Sequence, residues 1–194
     1  MKKSILALLF AIIAFVTSFD VPTAVAAPFK TDQSIAVFHP NGERTFAVGK
    51  DLFTFKNYTN MVSKDTSKDF SVVEITHAPR YRGFLLEKHA IDVEENFYPL
   101  EGEFEFFGFQ PNQTIKVNSG DIIHVPAGMP YGYRNVGAGA GKMLLITTSK
   151  GFDNFIDEIG TPMADKPSIP SNSIQPDMNK IGAVAPKYGI EFFN

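Results

Sequence analysis

The chain has 194 residues, of which 44% are hydrophobic, 13% aromatic and 20% charged, and it contains no Cys and no Trp. This composition is typical of one globular domain and excludes an intrinsically disordered chain, a disulfide scaffold and thiol chemistry. The formal net charge is -3, and no segment concentrates Lys or Arg, so we expect no nucleic-acid partner.

The first 26 residues have the pattern of a secretory signal peptide. Lys2 and Lys3 precede an apolar run over 5–16, and small residues at 24–27 supply an A-x-A cleavage pattern. The run is shorter than the roughly 20 apolar residues that a membrane span needs. We therefore expect residues 1–26 to be a signal peptide, and the mature protein to be secreted or periplasmic with no membrane contact after cleavage.

Residues 28–150 consist of short β-rich runs separated by Gly, Pro and Asn. This alternation of strand and turn signals predicts an antiparallel barrel or sandwich whose core is supplied by Phe at alternate strand positions. The predicted strands are Ile35–His39, Thr45–Val48, Leu52–Phe55, Phe70–Thr76, Gly83–Ile91, Asn96–Leu100, Glu103–Phe107, Thr114–Val117, Asp121–Val125, Tyr131–Asn135 and Met143–Thr148.

Residues 151–194 differ in character and form a helical and Pro-rich extension that we expect to pack on the barrel. Apolar residues at helical spacing predict a short helix that starts at Phe152 and is closed by Gly160. The proline-rich stretch 161–176 predicts an extended connector, after which Asp177 can cap a second short helix. The apolar end of the sequence, with the Phe192-Phe193 pair, predicts packing on the barrel or in a homodimer.

Two stretches carry the most specific pattern. The first, Gly83 to Gly102, contains His89 and Glu95 at the intervals of G(x)5HxH(x)3–4E(x)6G. The second, Gly120 to Asn135, fits G(x)5PxG(x)2H(x)3N in its Gly, Pro and Asn positions. Two such motifs in order, with a short spacer, resemble the signature of the cupin superfamily. The Pro-rich C-terminal segment is similar to that of small, single-domain, quercetinase-like cupins.

The resemblance implies an all-β fold, a single cupin barrel (a double-stranded β-helix or jelly roll) with short C-terminal helices, usually as a dimer. It also implies a metal ion inside the barrel, bound by three His and one Glu; such ligands suit Fe, Mn, Ni, Cu or Zn. His89 and Glu95 stand at two of these positions, whereas Ile91 and Tyr131 replace two His. A metal on His89, Glu95 and Tyr131 is therefore expected to be weak or absent, with Glu87 as a substitute ligand on the face of His89.

Three functions stay open at this point, all with a small, aromatic or otherwise planar organic ligand in an apolar pocket. One is a quercetinase-like, metal-dependent dioxygenase. Another is a metal-free isomerase, cyclase or lyase in which Glu95 is the base and His89 or Tyr131 the acid. The third is a non-catalytic small-molecule-binding cupin, and the missing His residues favour the latter two. The substrate-binding residues expected around the catalytic ones are Arg82, Leu85, Glu87, Ile91, Phe97 and Tyr133.

The other histidines carry weaker signals. We expect His124 at the surface or at an interface, since it lies on the strand that enters the second motif. His39 and His77 lie on earlier predicted strands, where an isolated His is usually structural.

Overall fold

The computed structural model describes residues 43–56, 70–81, 86–90, 92–108, 110, 113–148, 151–163, 168–169 and 176–193. All of them lie within one compact unit, Val37–Asn194. Several sequence predictions fall outside the described residues: the signal peptide, the strand Ile35–His39, and the positions of Arg82, Leu85 and Ile91.

The described residues form an antiparallel β-structure with two short helices, which confirms the all-β prediction. Observed strands agree with the predicted ones within a few residues, except in the regions of β4 and β11, and β12 lies in a segment for which no strand was predicted. The strands are β1 (Arg44–Val48), β2 (Asp51–Phe55), β3 (Ser71–His77), β4 (Leu86–Lys88), β5 (Glu95–Glu101), β6 (Glu103–Phe107), β7 (Thr114–Asn118), β8 (Ile123–Val125), β9 (Gly132–Asn135), β10 (Gly141–Thr147), β11 (Thr161–Pro162) and β12 (Glu191–Phe193).

Three sheets make up the barrel region. The largest has the strand order β11-β1-β2-β3-β10-β5-β8, a second has the order β7-β6-β9, and β12 pairs with β4. Among the described strands of the large sheet, only β1–β2 and β2–β3 are pairs of strands that follow each other in the chain. β10, for example, lies between β3 and β5. This interleaved order brings both sequence motifs to one interior.

Alternate residues of the strands point into the core. On β3 the burial pattern alternates strictly, with Val73, Ile75 and His77 inside, as the period of two requires. Phenylalanine dominates this interior, in agreement with the sequence prediction: Phe46 and Phe97, for example, are 0% exposed. Full burial of one such side chain contributes about 2 kcal/mol to the free energy of unfolding.

A glycine of the first motif is the single residue between β5 and β6, which belong to different sheets. Gly102 has a φ of 95°, and a Cβ at this position would lie 2.8 Å from the backbone Cα of Gly141. A residue with a side chain would be strained there by its φ and by the close backbone contact. The position therefore belongs to the construction of the barrel and not to its chemistry.

The described part of the C-terminal segment packs on the barrel. Helix α1 (Phe152–Ile159) buries Phe152, Phe155 and Ile156. Helix α2 (Met178–Val184) begins at Asp177, whose side chain accepts hydrogen bonds from two backbone amides of the first turn, the expected cap. Among the described residues, no helix is both long and apolar enough to cross a membrane.

Two regions differ from the sequence prediction. The strand predicted over Gly83–Ile91 is too long, because strand structure ends at Lys88, where the pairing partner β12 also runs out. The connector predicted after Gly160 begins instead with β11, which pairs with the edge of β1 through Thr161 and Pro162. Proline is tolerated there because an edge strand needs hydrogen bonds on one side only.

Candidate functional site

A cluster of four polar side chains lies inside the barrel. Glu95 is the first residue of β5, Glu87 lies in the middle of β4, His89 follows β4 directly, and Tyr131 directly precedes β9. The Tyr131 hydroxyl donates a hydrogen bond to Glu95 Oε2 over 2.6 Å. The two motifs therefore supply all four side chains of this cluster.

Strand β4 holds Glu87 in place from both sides. On one side, the Glu87 amide donates to the Tyr131 carbonyl over 2.8 Å and the Tyr131 amide donates to the Glu87 carbonyl over 2.9 Å. On the other side, Phe192 of β12 is the register partner of Glu87. The short strand is therefore fixed between the second motif and the C-terminal segment.

His89 and Glu95 meet without a hydrogen bond. Their side chains are only 4% and 2% exposed, and His89 Nε2 lies 3.5 Å from Glu95 Oε1. Within the described part of the chain, Glu95 Oε1 and both ring nitrogens of His89 have no hydrogen-bond partner. Buried polar atoms of this kind are rare in folded proteins and commonly mark a functional site.

Burial sets the protonation of the cluster. It raises the pKa of Glu95 to about 8, with a further increase from the nearby Glu87 carboxylate, against hydrogen bonds from Tyr131 and Thr147. Burial likewise raises the pKa of Glu87 to about 7, although a hydrogen bond from Tyr131 opposes the shift. It lowers the pKa of His89 to about 4, so this imidazole is neutral at pH 7.

The tyrosines keep their protons. Burial and the neighbouring carboxylates hold the pKa of Tyr131 well above its usual range. The same causes act on Tyr133, with an added contribution from Asp51. The two phenol rings lie nearly parallel, with an interplanar angle of 11° and centroids 6.4 Å apart. Tyr131 is therefore a hydrogen-bond donor at the site, not a phenolate.

Aromatic and aliphatic side chains surround the polar cluster. The free space between them has room for about one water molecule. Helix α1 covers this space, and the Phe152 ring centroid lies 6.2 Å from that of His89. The lining residues are Phe53, Ile75, Glu87, Glu95, Phe97, Tyr131, Tyr133, Leu145, Phe152, Phe155 and Ile156.

The site contains part of the predicted set and adds residues that the sequence prediction missed. Glu87, Phe97 and Tyr133 line the pocket as expected. The side chains of α1 were missed because their docking onto the barrel depends on contacts distant in sequence. The only available signal was the apolar stripe of the helix, which predicts a buried face but not its partner.

A second buried polar pair lies at the other end of the barrel interior. His77 Nδ1 and Asp51 Oδ1 are 2.8 Å apart, and their side chains are 1% and 3% exposed. The His77 ring also packs edge-on against Phe104 and Tyr133. The paired Nδ1 agrees with a structural role for His77, whereas His77 Nε2 is buried without a hydrogen-bond partner among the described residues. His124 is exposed, as expected, and its Nδ1 lies 3.0 Å from Asn96 Oδ1.

The donor atoms do not fit the metal ion that the resemblance implies. The hydroxyl of Tyr131 is occupied as a donor to Glu95 Oε2, and its high pKa keeps the proton on it. No group of three or more His, Cys, Asp or Glu in the described ranges is arranged to hold a metal ion. A ligand set of three imidazoles and one carboxylate is therefore not reproduced by His89, Glu95 and Tyr131.

Comparison with known proteins identifies the barrel. A family model described as a cupin domain matches residues 78–147, the segment that carries both motifs. No curated protein matches the chain.

Among solved structures, the Cnp3 cupin domain of Schizosaccharomyces pombe is 14% identical with a TM-score of 0.42, over 56% of this chain and 71% of that one. A cupin superfamily protein of Desulfitobacterium hafniense is 20% identical with a TM-score of 0.40, over 52% and 79%. KdgF of Halomonas sp. is 13% identical with a TM-score of 0.45, over 59% and 94%. With likenesses this distant, the assignment rests on the family match and the strand architecture.

Proposed function

The chain belongs to the cupin superfamily through residues 78–147, and on that basis we propose that it binds a small organic molecule inside the barrel and moves a proton on it without a metal ion. One observation carries the proposal. Glu95 has one carboxyl oxygen fixed by Tyr131 and a second, buried oxygen that is unpartnered among the described residues. A carboxyl group held in this way can exchange a proton with a bound ligand.

The residues divide the proton chemistry between them. Because the pKa of Glu95 is raised to about 8, its carboxyl group holds a proton at pH 7 and can donate it from Oε1. When the same group is ionised it is a base in a poorly solvated site, and the hydrogen bond from Tyr131 stabilises the resulting charge. His89 Nε2 lies 3.5 Å from Glu95 Oε1. In the neutral imidazole it can accept a hydrogen bond from the ligand or donate one to it, depending on the tautomer.

The apolar walls support binding of a largely apolar ligand. Phe53, Phe97 and Phe152 line the pocket beside the carboxyl groups, which is the usual mixture for a small-molecule site: apolar surface with a few directed polar groups. The metal-dependent dioxygenase is not proposed, because the donor set does not fit the metal.

Deuterium exchange tests the function. We would incubate the protein in D2O with acetone, pyruvate and dihydroxyacetone, with and without EDTA, and follow C–H exchange by NMR. The expected result is exchange of at least one compound that survives EDTA and falls at least tenfold in Glu95→Gln, since general acid–base groups contribute about 100-fold or more. Glu101→Gln, an exposed residue of the same strand, is the matched control. Exchange that disappears with EDTA and returns with added metal would contradict the proposal.

We also infer that the protein works outside the cytoplasm after removal of residues 1–26. The charged start, the apolar run over 5–16 and the small residues at 24–27 support this. Cell fractionation with N-terminal sequencing tests it, and a mature N-terminus near Pro28 is the expected result. An intact Met1 in the cytoplasmic fraction would contradict it.

A further inference from the structure

The pocket combines two acidic groups with no positive partner. Among its described lining residues, Glu87 and Glu95 are acidic and none is Lys, Arg or His. Lys88 follows Glu87 on the strand but lies 3.1 Å from Glu191 in an ion pair with it. Two like charges in a buried site repel each other and lose solvation, so a bound cation would stabilise the ionised pair.

Two of the three atoms at the site that are unpartnered among the described residues can accept hydrogen bonds when Glu95 is ionised, namely Glu95 Oε1 and one ring nitrogen of His89; the other ring nitrogen of the neutral imidazole is a donor. Glu95 Oε1 has no partner among the described residues, and neither has His89 Nε2, which lies 3.5 Å away. The neutral imidazole can present Nε2 as an acceptor, and the Glu87 carboxyl group supplies further acceptor oxygens when it is ionised. A primary ammonium group has three N–H donors and no acceptor, so it matches this set in charge and in hydrogen bonding.

Aromatic rings line the same pocket as Glu87 and Glu95. Six of the described lining residues are Phe or Tyr, and ring faces attract cations when water is excluded. The free space fits about one water molecule, and an ammonium group is of similar size. The six rings are those of Phe53, Phe97, Tyr131, Tyr133, Phe152 and Phe155.

We propose that the ligand is a small primary amine whose ammonium group binds between Glu87 and Glu95, next to His89, and whose carbon chain displaces the α1 side chains that cover the space. This assignment deepens the proposed function and rests on it, because it names the substrate class of the same site. It differs from the sequence prediction, which specified a small, aromatic or otherwise planar organic molecule and named no amine.

Cation binding displaces protons from the site. The titratable groups facing the ammonium position are Glu87, Glu95, His89, Tyr131 and Tyr133. The carboxyl groups are partly protonated at pH 7, whereas His89 is neutral and the tyrosines keep their protons. Binding of the cation must therefore release protons from the carboxyl pair, and affinity must rise with pH between about 6 and 8.

Isothermal titration calorimetry with ethylammonium chloride tests the assignment. Ethanol is the uncharged comparison, tetramethylammonium is the cation without N–H donors, and Mn²⁺ and Zn²⁺ test for a metal. We expect ethylammonium to bind at least tenfold more tightly than either organic comparison, with proton release seen as a dependence of the heat on buffer. Glu95→Gln and Glu87→Gln should each weaken binding at least tenfold, and Glu101→Gln should not.

Several outcomes would overturn the assignment. They are equal binding of ethanol and ethylammonium, binding of the metal ions alone, or binding that the two Gln variants leave unchanged. Phe152→Ala removes the ring that covers the site and opens it, so an absence of ethylammonium binding in both the unchanged protein and this variant would overturn the assignment.

The two proposals fail in different ways. Exchange on neutral ketones without ethylammonium binding overturns the amine assignment and leaves the acid–base function standing. Ethylammonium binding without exchange on any of the ketones supports the amine site and contradicts the catalytic function. If both binding and exchange are absent, both proposals are wrong.

Discussion

The barrel buries ionisable groups at two places, and they are built differently. In the register of β10, Thr147 lies beside Glu95 at one end of the strand and Gly141 lies beside His77 at the other. At the His77 end, an imidazole and a carboxylate of Asp51 pair at 2.8 Å. At the Glu95 end, two carboxyl groups share a tyrosine hydroxyl and an imidazole that makes no hydrogen bond with the described residues.

The two places differ in whether the buried groups compensate for each other's loss of solvation. A complementary His–Asp pair partly compensates for its own loss of solvation, so it can fasten β2 to β3 without a ligand. Two carboxyl groups in apolar surroundings have no such compensation and instead hold protons, as their raised pKa values indicate. Perturbed groups of this second kind are common at binding and catalytic sites.

The largest effect is expected from breaking the pair at the His77 end. His77→Ala leaves the Asp51 carboxyl group buried without its partner, which should lower the free energy of unfolding by about 4 kcal/mol. Asp51→Asn keeps an acceptor oxygen for His77 and should cost less. Urea denaturation measures both. A loss below about 1 kcal/mol in His77→Ala would show that this pair is not a structural fastening.

The second-largest effect is expected from Phe152→Ala, which removes the ring that covers the Glu95 end of the barrel. Phe152→Ala should cost about 3 kcal/mol by loss of a buried ring, and it should let water reach His89, whose pKa then rises from about 4 toward its usual value near 6.5. Histidine NMR titration follows this change. Phe104→Ala, next to His77, is the control and should destabilise the fold without shifting the His89 titration. Equal His89 shifts in both variants would argue against two separate ends.

The carboxyl groups make stability depend on pH. Their folded-state pKa values lie above the unfolded values, so the folded state holds extra protons and stability falls as pH rises toward about 8. His89 acts oppositely, but its contribution is complete above about pH 6.5, since its folded-state pKa is lowered. Between pH 6.5 and 8, we expect a loss of about 2 kcal/mol.

Glu95→Gln should remove at least half of this pH dependence. Denaturant unfolding at pH 6.5, 7.25 and 8 provides the measurement, with Glu101→Gln as control because that side chain is largely exposed. A slope that is unchanged in Glu95→Gln would place the responsible groups elsewhere.

The smallest effect concerns the tyrosine between the carboxyl groups. Tyr131→Phe removes the hydroxyl that donates to Glu95 Oε2, so it should raise the pKa of Glu95 further, by about one unit or about 1 kcal/mol. Tyr133→Phe alters the parallel neighbouring ring and should leave that pKa nearly unchanged. Carbon-13 NMR of the Glu side chains resolves the two cases. A lowered pKa in Tyr131→Phe would contradict the donor role of the hydroxyl.

Much of the fold could be predicted from local patterns. Alternating Phe residues and the turn glycines placed most strands within a few residues, and strand-face parity brought Glu87 and His89 to one side. β11 was missed because a two-residue edge strand containing Pro162 has no periodicity to detect.

The site was harder to predict because its construction is not local. Nothing near Phe152 in sequence shows that its helix covers His89, since this contact arises from docking of the C-terminal segment. Asp51 lies in the gap between two predicted strands, so its pairing with His77 follows only from the way β2 and β3 pair in the structure. From the sequence alone, a weak metal site on His89, Glu95 and Tyr131 was one of the alternatives. In the structure the Tyr131 hydroxyl donates a hydrogen bond to Glu95, which argues against that metal site.

The pairing of β4 with β12 affects when the site can form during synthesis. Glu87 is made early, but the strand that borders β4 comes from Glu191–Phe193, after the whole of the barrel's second motif. A nascent or truncated chain that lacks those residues leaves one edge of β4 without this neighbour, however well the large sheet has formed. The pairing that borders Glu87 is therefore complete only after translation has proceeded through Phe193.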